Sequence, residues 1–238
     1  MPSPPASASL VSLVLGAALL AGCSASQTPT AVTVTPDRPV IQPGGPGEAN
    51  ATLTGPIAIP VEEPNEADVR FAQAMIIHHA QALEMVEIAR DGLEDQAVRG
   101  LAERIAAAQG PEVGALVGWL VRHDEPVPQE AVEAGVDVKG LGGRVGARSR
   151  GHAGHDAEEM AGMATADQLE ALGTASGRAA DVLFLELMTA HHEGALVMTT
   201  EHGTQGIDAQ AREMSDEMHV EQTAEIDRMA ELLATLRG

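Results

Sequence analysis

Asp68-Val-Arg-Phe71-Ala-Gln-Ala-Met75-Ile-Ile-His78-His79-Ala-Gln-Ala82-Leu-Glu-Met85 and Asp181-Val-Leu-Phe184-Leu-Glu-Leu-Met188-Thr-Ala-His191-His192-Glu-Gly-Ala195-Leu-Val-Met198 are two copies of one pattern, 113 residues apart and aligned without a gap. On a helix at about 100° per residue, with Met75 at zero, His78 falls near about −60°, His79 near about +40° and Met85 near about −80°. Asp68, Phe71 and Ala82 share that arc, so the pattern fills one face about 120° wide, the face a bundle helix turns inward. Each copy therefore predicts a helix with its histidine pair directed at a core.

Helix signals surround both copies. Asn65 with Asp68 makes a start and Gly92 a stop for the first helix, and the second copy lies on a helix from about Gly177 to His202. Asp95 and Asp208 cap the helices that follow. The repeat continues into them, since Gln109 aligns with Gln222 and Glu112 with Glu225. Each half is a helical hairpin, and two hairpins make a four-helix bundle. Gly110-Pro111 is expected to kink or break the second helix. Thr165 with Gln168 forms a capping box for a short helix that Gly173 interrupts.

Composition supports an all-α fold. Hydrophobic residues make up 44% of the 238 residues but aromatic ones only 1%, whereas sheets favour aromatic and β-branched residues. The formal charge of −21 argues against nucleic acid, because phosphate binding needs a basic face.

Domain organisation follows the same signals. The apolar run from Leu10 to Gly22 is too short to span a bilayer. It ends in Leu20-Ala21-Gly22-Cys23 and resembles a bacterial lipoprotein signal, with cleavage before Cys23 and lipid on its thiol, although residues 1–22 contain no Lys or Arg. Residues 23–64 read as a flexible Pro/Gly/Thr tether without a strand pattern. Residues 65–238 form the helical domain, with repeats at about 65–121 and 178–238 and a connection at about 122–177. Cys23 is the single cysteine, which excludes an internal disulfide and a thiolate metal site.

Thioether with imidazole is a ligand set for soft transition metals. Met75 and His79 lie one turn apart, so one helix offers two or three ligands, and a complete site needs Met188, His191 and His192 from the other copy. His202 extends the second stripe, and the last helix adds Met214 and Met218, where the first half has Leu101 and Ile105. Metal capacity should therefore lean toward the carboxyl-terminal half. His152, His155, Met160 and Met163 form a further cluster in the connection. Four buried imidazoles left without partners would each cost about 1–3 kcal/mol. They are explained by metal ligation or by a polar network reaching Asp68 and Asp181. Glu112 and Glu225 read as partners in the bundle's polar contacts.

The motif Asp-x2-Phe-x3-Met-x2-His-His-x2-Ala-x2-Met, present twice, resembles the bacterial extracytoplasmic family catalogued as domain of unknown function 305. The resemblance covers about residues 65 to 238. It implies a ferritin-like four-helix bundle and metal binding by Met75, His78, His79, Met188, His191 and His192, with Met85 and Met198 as further ligands. Some members are described as binding copper or silver.

The expectation is a lipid-anchored envelope protein that binds copper, Cu(I) above Ag(I), Cu(II) or Zn(II), for sequestration or hand-over to a delivery protein rather than for catalysis. Neutral imidazole is needed for ligation, so affinity should fall as pH drops through about 6.5. Two rivals stay open: a b-type haem bundle, and an envelope interaction protein with a buried histidine network and no metal. A di-iron carboxylate enzyme is disfavoured, because Glu-x-x-His pairs on facing helices are missing.

Overall fold

In a computed structural model of the chain, residues 30–146 and 160–238 are described. The signal segment, Cys23, His152 and His155 lie outside them. Four long helices carry the fold: α1 (Glu66–Ala89), α2 (Gln96–Arg122), α5 (Arg178–Gln205) and α6 (Ala209–Arg237), with α3 (Glu130–Glu133) and α4 (Ala166–Thr174) in the connection. The ends form where the sequence places them. Asn65 and Asp68 make a reciprocal capping box on α1, Asp95 and Asp208 cap α2 and α6, and Thr165 with Gln168 caps α4.

α1 packs on α2 and α5 on α6, while the two hairpins meet mainly through α1 against α5. The motif aspartates lock this arrangement reciprocally. Asp181 of α5 accepts from the backbone N–H groups of Glu94 and Asp95, at 3.0 Å each, in the turn between α1 and α2. Asp68 of α1 accepts from Ile207 and Asp208, in the turn between α5 and α6, at 3.1 and 3.2 Å. Each half thus supplies the carboxylate that satisfies the other half's turn, an internal pseudo-dyad.

Three expectations are corrected. α2 runs unbroken through Pro111. The proline removes one hydrogen bond at a cost of about 3 kcal/mol, but Ile105 before it and Val113, Leu116, Val117 and Leu120 after it are buried. Each such side chain is worth about 1.5–3 kcal/mol, so packing on both sides outweighs the break. Gly173 does not interrupt α4, which ends one residue later. Finally, the tether contains strands: β1 (Thr30–Val34) pairs antiparallel with β4 (Ile57–Val61), and β2 (Val40–Gln42) with β3 (Ala51–Leu53). Thr30-Ala-Val-Thr-Val and Ile57-Ala-Ile-Pro-Val are rich in β-branched residues, which favour strands. Pro60 is tolerated because a two-stranded ladder has only edges.

Candidate metal centre

α1 and α5 cross at their histidine pairs. His78, His79, His191 and His192 are all buried, at 0 to 1% exposure. The rings of His78 and His191 touch, with centroids 3.7 Å apart and planes tilted by 38°. The duplicated imidazoles therefore converge on the pseudo-dyad.

The flanking pair is held from the outer helices. His79 Nε2 donates to Glu112 of α2 at 2.9 Å, and His192 Nε2 to Glu225 of α6 at 2.6 Å. These carboxylates sit near the surface, with side chains 17% and 18% exposed. Glu221 of α6 shares a hydrogen bond with Glu112. Burial, followed by that neighbouring carboxyl, pushes Glu221 up. Burial is the largest single influence on Glu112 and works to raise it, but the hydrogen bond and charge of His79, the hydrogen bond with Glu221 and the charge of His192 together hold Glu112 below the usual carboxylate range.

The inner pair has fewer partners. His78 Nε2 donates to the carbonyl of Ala161 at 3.2 Å. Nδ1 of His78, His79 and His192, and both nitrogens of His191, have no partner among the described residues. Burial pushes His78 down to about 3, helped by neighbouring His79, and pushes His191 well below the ordinary imidazole value. His78 is thus neutral well below pH 6.5, and the expected loss of metal affinity through that pH does not apply to it.

The carbonyl over His78 belongs to a strap, residues 160–164. Gln81 of α1 grips it twice, accepting from Ala164 N at 2.7 Å and donating to Ala164 O at 2.9 Å. A methyl group on Gly194 of α5 would lie 1.9 Å from the Ala161 oxygen, so only glycine lets the strap settle against α5 beside the histidines. Met160 of the strap is buried.

The methionines divide around this layer. Met75 shares a hydrophobic cluster with Ala195, Met214 and Met218, with Met198 packed against it. Met188 belongs to the opposite cluster, with Ala82, Met85, Leu101, Ile105 and Met229. Antiparallel crossing of α1 and α5 thus sets Met75 and Met188 in different clusters, one on each side of the histidines. Met214 and Met218, the methionines that the second half adds, share the cluster of Met75 from the first half.

His202 is not brought to the four imidazoles. Its Nε2 donates to Asp68 at 2.9 Å and its ring stacks on Phe71 at 4.3 Å. The histidine network reaching both motif aspartates is corrected accordingly: Asp68 holds His202 and a turn, Asp181 holds a turn, and Glu112 and Glu225 are the partners of His79 and His192. The repeat had aligned those two glutamates, which was the available signal for their role. Among the described residues no three His, Cys, Asp or Glu side chains form a ready metal cage.

The family profile described as Domain of unknown function (DUF305) matches residues 68–233. The chain belongs to the DUF305 family. A DUF305 protein from Streptomyces coelicolor is 32% identical over 72% of this chain and 94% of its own, with a TM-score of 0.57. A DUF305 fragment from Deinococcus radiodurans is 25% identical over 73% of this chain and 99% of its own, with a TM-score of 0.59. CopM in the Cu(II)-bound form is 26% identical over 71% of this chain and 96% of its own, with a TM-score of 0.52. CopM has also been solved in Cu(I)-bound and Ag-bound forms. Among curated proteins none matches the chain.

Proposed function

We propose that this DUF305 protein is an extracytoplasmic binder of soft metal ions, taking Cu(I) and Ag(I) in preference to Cu(II) and Zn(II), and that it sequesters or hands on the ion without catalysing a reaction. The observation that carries this reading is His191, buried with neither ring nitrogen in a well-formed hydrogen bond, only a weak influence from the His78 backbone, and its ring against His78. A polar seam built only for stability would satisfy its members, since an orphaned buried nitrogen costs about 1–3 kcal/mol. A bound ion offsets that cost. The donor chemistry fits: the imidazoles of His78 and His191 are held neutral by burial, and methionine sulfurs lie in the clusters on both sides. Neutral nitrogen and thioether suit Cu(I) and its soft analogue Ag(I). CopM, a relative with the same fold, is known in copper- and silver-bound forms.

Anaerobic titration of the purified protein with Cu(I), Ag(I), Zn(II) and haem tests the proposal. Tight binding of Cu(I) and Ag(I), with Zn(II) at least about tenfold weaker, is the expected pattern. A haem absorption band with no Cu(I) uptake would overturn it.

Location outside the cytoplasm is supported by the lipoprotein-like segment ending at Cys23 and by the Streptomyces relative, whose name marks it as a candidate secreted protein. Among the described residues no helix is long and apolar enough to cross a membrane. Attachment through a lipid on Cys23 is part of the proposal and rests on the Leu20-Ala21-Gly22-Cys23 sequence. Cys23→Ser is expected to move the protein from the membrane fraction to the soluble one. Unchanged membrane association would remove the anchor from the proposal.

A further inference from the structure

Three of the four motif histidines offer the same atom. A neutral imidazole carries one N–H and one lone pair. A carbonyl can only accept, so the contact between His78 Nε2 and Ala161 O places the hydrogen on Nε2. The carboxylates of Glu112 and Glu225 impose the same choice on His79 and His192, at 2.9 and 2.6 Å. Nδ1 is then the lone-pair nitrogen in all three, and in all three Nδ1 is buried without a partner.

We infer that Glu112 and Glu225 are positioning residues of the metal centre: by accepting from Nε2–H they fix the tautomer of His79 and His192 and present Nδ1 as the donor atom to a soft cation. The inference rests on the metal-binding reading above and adds residues to it. Its physical basis is general. A ligating imidazole whose other nitrogen donates to a carboxylate is oriented and made more basic, and losing that carboxylate typically costs about 10–100-fold in metal affinity. The duplicated spacing supports the assignment, because His79 with Glu112 and His192 with Glu225 occupy equivalent places in the two halves. Their outer position matters too. Each carboxylate stays 17–18% exposed while its histidine is sealed, so its charge remains hydrated when no cation is bound.

The test has two arms. In the metal-free wild-type protein, nitrogen-15 spectra of the imidazoles should show His79 and His192 protonated on Nε2. In Glu112→Gln with Glu225→Gln, the side chains keep their shape, but an amide can donate as well as accept. The Nδ1–H tautomer should therefore appear, and Ag(I) affinity, measured by competition titration, should fall by about tenfold. Glu112→Leu with Glu225→Leu should lose about 10–100-fold. If that pair does not fold, the isosteric glutamine pair still decides the matter. A wild-type spectrum showing Nδ1–H at both histidines, together with tight Ag(I) binding, overturns the positioning role and leaves the metal reading standing. Glutamine variants with unchanged tautomer and unchanged affinity do the same. A wild-type protein that binds no Ag(I) or Cu(I) overturns both.

Discussion

Replacing His78, His79, His191 and His192 together by alanine is expected to lower affinity for Cu(I) and Ag(I) by on the order of 10⁴-fold, at about tenfold for each of the four nitrogen donors lost. Thioether sulfur remains, so residual weak binding is expected. The methionines alone cannot restore the site, because Met75 and Met188 belong to separate clusters on opposite sides of the histidine layer. Zn(II) binding should be lost more completely, since thioether is a poor ligand for it. Thermal melts recorded beside the titrations distinguish loss of ligands from loss of fold: four truncated core side chains leave cavities, and Glu112 and Glu225 lose their partners. A companion variant with only His78 and His191 replaced by leucine keeps the volume and both carboxylate pairs. It is expected to lose about 100-fold on the same scale. Retention of wild-type Cu(I) affinity by the folded four-alanine variant would falsify histidine ligation.

The bundle was legible because its signals are local or periodic. Capping residues at Asn65, Asp95, Thr165 and Asp208 act within one turn, and the inward face of each motif follows from helical geometry. The site was legible only in part. A repeat says that two stripes exist, but not how antiparallel helices register. Crossing at the histidines puts Met75 in the cluster of Ala195 and Met188 in that of Ala82, a consequence of packing with no trace in either stripe alone. The continuity of α2 through Pro111 was hidden for a similar reason: the side chains that hold it do so by burial against other elements. The role of Glu112 and Glu225 was half visible. Their alignment was in the sequence, while their pairing with His79 and His192 needs the lateral position of α2 beside α1 and of α6 beside α5. The strands at residues 30–61 were missed because Pro and Gly interrupt that stretch repeatedly and leave only short β-branched runs between them.

Acid should unfold this protein well before ordinary carboxylate titration is complete. His78 is held down to about 3 in the folded chain by burial and by its histidine neighbours, against an ordinary value of 6.5. Between those two pH values the unfolded chain binds a proton that the folded chain refuses, so stability rises with pH across the window and falls as pH is lowered through it. The stabilisation is fully present above about 6.5, declines by about 1.4 kcal/mol per pH unit, and reaches a loss on the order of 5 kcal/mol near pH 3. His191, pushed down by burial and by His78, acts in the same direction. Asp68 adds to the loss at the acid end. Burial works to raise it, but the backbone N–H groups of Asn65, Ile207 and Asp208 and the ring of His202 hold it below 3.8, so its contribution disappears as pH falls through that lowered value. Against a typical domain stability of about 5–15 kcal/mol, the loss at His78 alone is a large fraction of the margin. Urea denaturation at pH 7, 5.5 and 4 is expected to show a steadily falling midpoint, whereas His78→Leu with His191→Leu should flatten the curve between pH 6.5 and 4, because leucine has no proton to accept. A bound soft ion occupies the ring nitrogens and competes with protons for them, so Ag(I) should shift the wild-type midpoint upward at every pH. If the leucine pair loses stability with acid as steeply as the wild type, the buried imidazoles are not the source of the slope.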